Sequence, residues 1–78
     1  MKLKWYQVMY GQRYFHHGYV YVEAQNKSRA ELVARQWLSE QGEFSRLAGC
    51  TVKQWEDDIP EGADIARETD YPQLACIV

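Results

Sequence analysis

The sequence predicts an α+β fold: a small antiparallel sheet in β-β-α-β order, with a further C-terminal strand, and one helix packed across one face. Three observations carry this reading. Segments 3–10 and 19–25 are rich in strand formers and lack breakers. Segment 29–41 spaces its apolar residues as one stripe of a helix. A third strand-like run, 50–55, returns after that helix. The chain of 78 residues is one domain, 1–78.

In the first strand, alternation puts Leu3, Trp5, Gln7 and Met9 on one face and Lys4, Tyr6, Val8 and Tyr10 on the other. Both sets are largely apolar, so the pattern alone leaves open which one is buried. The second strand is clearer, with Val20, Val22 and Ala24 facing one way and Tyr19, Tyr21 and Glu23 the other. Gly11 and Gly18 bound the connection between them, which suits an antiparallel hairpin with a longer loop.

Ser28 followed by Glu31 reads as a capping box that opens the helix. Ala30, Val33, Ala34, Trp37 and Leu38 then form the buried stripe, while Arg29, Arg35, Gln36 and Glu40 fall toward water. Gly42 is the expected C-terminal stop near Gln41. Phe44 and Leu47 fit a short helical turn before Gly49. Pro60 and Gly62 break the chain, so 57–70 is expected to be mostly loop, with a turn of helix around 63–67. Pro72 keeps Tyr71 out of a helix, and 74–78 is expected to be a fourth, edge strand.

A formal net charge of −2 hides a division along the chain. Residues 1–54 carry eight Lys or Arg against four Glu. Residues 55–78 carry Glu56, Asp57, Asp58, Glu61, Asp64, Glu68 and Asp70 against Arg67 alone. Such a dipolar surface can steer an association. With 46% hydrophobic and 14% aromatic residues the chain can bury a compact core. A core this thin is not expected to wall off a deep cavity of about 300 Å³ or more, which argues against an enzyme. Cys50 and Cys76 are too few for a disulfide scaffold. No apolar run approaches the roughly 18 residues of a membrane span, and no signal-like stretch follows Met1. A cytoplasmic location is therefore the expectation.

Three candidate sites arise from the residue chemistry. His16, His17, Cys50 and Cys76 lack the paired spacing of a metal site, and read as loop histidines and packing cysteines. Neither a metal nor a cofactor nor a catalytic residue is expected. Asp57, Asp58, Glu61 and Asp64 do not match a calcium loop and have no apolar pocket to separate their pKa values. They read either as a solvated loop or, with Glu56, as an acidic surface that docks on a basic groove. Tyr19 and Tyr21 form the third candidate, with Arg13 in the hairpin loop. Tyr6 and Tyr10 would join them if the first strand buries its Trp5 side. An open aromatic sheet face can stack unpaired bases, but it equally fits cross-strand tyrosine packing or a protein interface. The pI of 5.6 is not that of a basic binder.

The run Val20, Tyr21, Val22, Glu23, Ala24, the polar Gln25, Asn26, Lys27, Ser28, the Arg29, Ala30, Glu31 helix start and the returning Thr51, Val52, Lys53 resemble small phage-encoded anti-CRISPR proteins of the β-β-α-β-β type. The resemblance spans about residues 5–56 in element order and composition. It implies a non-enzymatic inhibitor, present in the host cytosol, that occupies a nucleic-acid-binding or regulatory surface of a CRISPR effector complex. The acidic stretch 55–70 departs from that plan. The expected partner is thus a larger protein or ribonucleoprotein complex, met by Glu56, Asp57, Asp58, Glu61, Asp64, Tyr19, Tyr21 and Arg13. Direct nucleic-acid binding through the tyrosine face is the second reading. The chain itself is expected to be a monomer or weak dimer.

Overall fold

Strand propensity and helical periodicity place the elements close to where the sequence puts them. The computed structural model describes residues 2–11, 17–41 and 50–76. Strand β1 is Lys4–Gly11, β2 is His17–Ala24, helix α1 is Lys27–Gln41, β3 is Cys50–Gln54 and β4 is Asp64–Arg67. Two 3-10 turns, Glu68–Asp70 and Pro72–Cys76, complete the chain. The order in the sheet is β3-β1-β2-β4. β1 is antiparallel to both β2 and β3, and β4 adds to β2 in parallel.

Register decides which face of β1 is buried. Val8 lies opposite Val20 on one side and Val52 on the other, and Tyr6 lies opposite Val22. Cross-strand partners share a face, so Tyr6, Val8 and Tyr10 join the Val20 and Val22 side. All five are buried, together with Ala24 and Ala66. Helix α1 covers this face with Ala30, Val33, Ala34 and Leu38. Burying Leu38, Val8, Val20, Val22 and Val33 contributes about 1.5–3 kcal/mol each. Trp37 is only partly buried; it packs on the rim of the core, with its ring 6.2 Å from that of Tyr10.

The helix begins two residues earlier than the sequence suggests. Its cap is Asn26, whose Oδ1 accepts from the backbone N–H of Arg29 at 2.9 Å. Ser28 sits inside the first turn, and Glu31 pairs instead with Arg35 at 3.1 Å. Arg29, expected in water, donates from Nη1 to the carbonyl of Leu74 at 2.8 Å.

The C-terminal third differs most from expectation. The fourth strand is 64–67, where a turn of helix was expected, and 72–76 is a 3-10 turn rather than an edge strand. Tyr71 and Leu74 are buried against the helix-side core. The Tyr71 hydroxyl donates to Glu40 Oε1 at 3.0 Å. Glu68 accepts from both the backbone N–H and the Nε2 of Gln25, each at 3.1 Å. These contacts hold the segment to the start and the end of the helix, and in 74–76 the 3-10 turn takes the place of the expected strand. Residues 77 and 78, the helix stop at Gly42 and the turn at Phe44 and Leu47 lie outside the described residues. Among the described residues, no helix is long and apolar enough to cross a membrane.

Candidate docking surface

β3 and β4 occupy opposite edges of the sheet, so the acidic connection 55–63 must travel from one edge to the other. It does so over the face that the helix leaves open. The backbone N–H of Trp55 donates to the carbonyl of Trp5 at 2.9 Å, and its Nε1 donates to the carbonyl of Asp58 at 3.2 Å. The Trp55 ring then meets Tyr21 edge to face, with centroids 5.4 Å apart. Tyr21 is 5% exposed as a result, although it points away from the helix. Its hydroxyl accepts from Gln7 Nε2 at 3.0 Å, so the buried oxygen is satisfied.

Further along, Ala63 N–H donates to the carbonyl of Pro60 at 3.2 Å, and Gly62 between them has φ of 79°. This is the pattern of a type II turn, with glycine at the position that needs a positive φ. The turn delivers Glu61 to the side of Tyr19 and then leads into β4, whose first residue Asp64 pairs with Val20. Tyr19, Tyr21, Pro60, Glu61, Gly62, Ala63 and Asp64 line an open groove of about 310 Å³. Its volume reaches the bound expected to be too large for this core, but it is a surface depression built by the crossover rather than an enclosed cavity. Tyr19 is 44% exposed in it, and Ile65 on β4 is 43% exposed.

The acidic residues divide into two groups. Glu56, Asp57, Asp58, Glu61 and Asp64 are exposed, and among the described residues none of their carboxylates forms an ion pair or hydrogen bond. Glu68, by contrast, is spent on Gln25. Asp64 is close enough to be felt at Tyr10, whose pKa is raised first by burial and then by that negative charge. The lone cation of this stretch, Arg67, pairs with Glu23 at 3.5 Å and lies 5.8 Å from the Trp5 ring centroid. It does not neutralise the exposed group.

The structure thus brings Tyr19 and the 60–63 turn with Glu61 together around one groove, with Tyr21 as its covered wall, while Asp64 lies opposite Val20 and its side chain shares the helix side of the sheet. The aromatic face foreseen for base stacking is corrected. Tyr6 and Tyr10 lie under the helix, and Tyr21 lies under Trp55. Tyr19 remains. Arg13 and His16 lie outside the described residues, as do the side chains of His17, Cys50 and Cys76. Among the described residues, no group of three or more His, Cys, Asp or Glu is placed to hold a metal ion. The sequence reading missed the covering role of Trp55 and the exposure of Ile65; the Pro60, Gly62 pair was the signal for the turn. No protein-family model matches this chain, and neither a curated protein nor a solved structure matches it.

Proposed function

We propose that this protein is a non-enzymatic, protein-binding inhibitor that docks its acidic crossover on the basic nucleic-acid-binding site of a larger complex. A CRISPR effector complex is the partner class that the resemblance to small anti-CRISPR proteins implies. The observation that carries the reading is the set of five exposed carboxylates on and beside the 55–63 crossover, none of which forms an ion pair among the described residues. Unpaired surface carboxylates keep their full field and attract a groove lined by Lys and Arg, while they repel phosphate. The same crossover supports protein docking over base stacking, because it covers Tyr21 and brings Glu61 into the groove that Tyr19 lines.

The test is binding to purified CRISPR effector complexes by surface plasmon resonance across a salt series. The association rate should fall as salt rises, and Asp57→Lys with Asp58→Lys should slow association further at low salt. Unchanged association in the double variant, at any salt, would remove the acidic crossover from the interface.

A further inference from the structure

Glu56, Asp57 and Asp58 are consecutive exposed carboxylates, and the chain bends at Asp57. Bending draws like charges together, so the charges alone favour a more extended course. Neither glycine nor proline falls within 54–59 to set the bend. What closes it is Trp55. Its indole Nε1, a donor only, donates to the carbonyl of Asp58 at 3.2 Å and ties the two ends of the bend together. The tryptophan is anchored in its turn, since its backbone N–H donates to the carbonyl of Trp5 at 2.9 Å and its ring meets Tyr21 edge to face. Tyr21 is buried, and its hydroxyl accepts from Gln7 on β1. The tie therefore refers the bend to the sheet. Beyond it, Pro60 restricts Ile59 to extended conformations.

We propose that Trp55 is a positioning residue for the acidic docking surface: its indole N–H holds the 56–58 bend against charge repulsion, so that Glu56, Asp57 and Asp58 meet the partner as one preformed tip. This rests on the docking reading above and goes beyond it, because it makes the strength of the complex depend on shape as well as charge. A preformed tip loses little conformational freedom on binding, and that advantage appears in the dissociation rate. Charge at 57 and 58 acts on the association rate. Trp55→Phe separates the two, since it leaves every charge in place and keeps a ring against Tyr21 but removes the donor.

The test joins 15N relaxation of the free protein to surface plasmon resonance against the CRISPR effector complexes. In the unmodified protein, backbone order at 56–58 should match that of the strands, and the Trp55 indole N–H should exchange more slowly than that of an exposed tryptophan. In Trp55→Phe the order parameters of 56–58 should fall below about 0.6, with the signals of β1, β2 and the helix unchanged to show that the fold is kept. Its association rate should stay within about twofold across the salt series, while dissociation quickens about fivefold. Low order at 56–58 or fast indole exchange in the unmodified protein overturns the assignment even if the variant does not fold. So does equal order in Trp55→Phe, or an unchanged dissociation rate. In those cases, an association rate that still depends on Asp57 and Asp58 leaves the docking reading standing. Effector complexes that bind none of these chains overturn both.

Discussion

A β-carbon added at Gly18 would lie 2.5 Å from Cζ of Tyr10, its cross-strand partner. The ring of Tyr10 lies across this glycine, and no side chain other than hydrogen leaves it room there. Strand propensity alone would favour alanine over glycine by about 0.5–1 kcal/mol. The buried ring cannot swing away freely, since Tyr10 is 8% exposed and meets Trp37. Overpacking of this kind costs about 1–3 kcal/mol. Gly18→Ala should therefore lower the melting temperature, by about 4–8 °C per kcal/mol in a domain of this size. In a Tyr10→Ala background the same change should be neutral or stabilising. A loss of equal size in both backgrounds would show that the Tyr10 ring is not the obstacle. Gly18 was readable from sequence as a hairpin boundary, but its service to Tyr10 was not. That contact exists only once the register pairs the two residues.

At the scale of elements, the helix and the first three strands were legible because each has one dominant period. The cap was misread because Ser28 and Asn26 both suit an N-cap, and only geometry chooses between them. Asn26→Ala should cost about 1 kcal/mol, and Ser28→Ala should stay within about 0.5 kcal/mol. Equal costs in chemical denaturation would restore the Ser28, Glu31 capping box. The burial of β1 was ambiguous for a physical reason: both of its faces are covered, one by the helix and one by the crossover with Trp55. The 64–67 strand was hidden because four residues carry too little alternation, and its partner, β2, is distant in sequence.

The tail is held to the helix by the Tyr71 hydroxyl on Glu40, and this contact gives stability a pH dependence. Burial, then the hydrogen bond and charge of Glu40, raise the Tyr71 pKa to about 12. The unfolded chain releases this proton near pH 10. Between pH 10 and about 12 the unfolded state thus binds fewer protons than the folded state, so stability falls as pH rises. The contribution is complete below pH 10 and gone above about 12. Tyr10, also raised, adds a decline of the same sign. Urea unfolding should show a shallower alkaline loss in Tyr71→Phe; an unchanged slope would remove Tyr71 as its source.

Over the whole molecule, one covering relation explains the most. The strand order β3-β1-β2-β4 obliges the acidic connection to cross the sheet, and that crossing lays Trp55 on Tyr21 where an aromatic platform would otherwise be open. The concentration of charge was plain in the sequence; that its segment crosses the open face of the sheet depended on the parallel pairing of β4. The central claim is that this face repels nucleic acid and serves a basic protein surface. Its most direct measurement is fluorescence anisotropy of a labelled single-stranded RNA, titrated with the unmodified protein at low salt. The account predicts no binding at micromolar protein, for the unmodified chain and for Tyr19→Ala alike. Tight, salt-sensitive RNA binding, strengthened by Asp57→Lys with Asp58→Lys and lost in Tyr19→Ala, would contradict it.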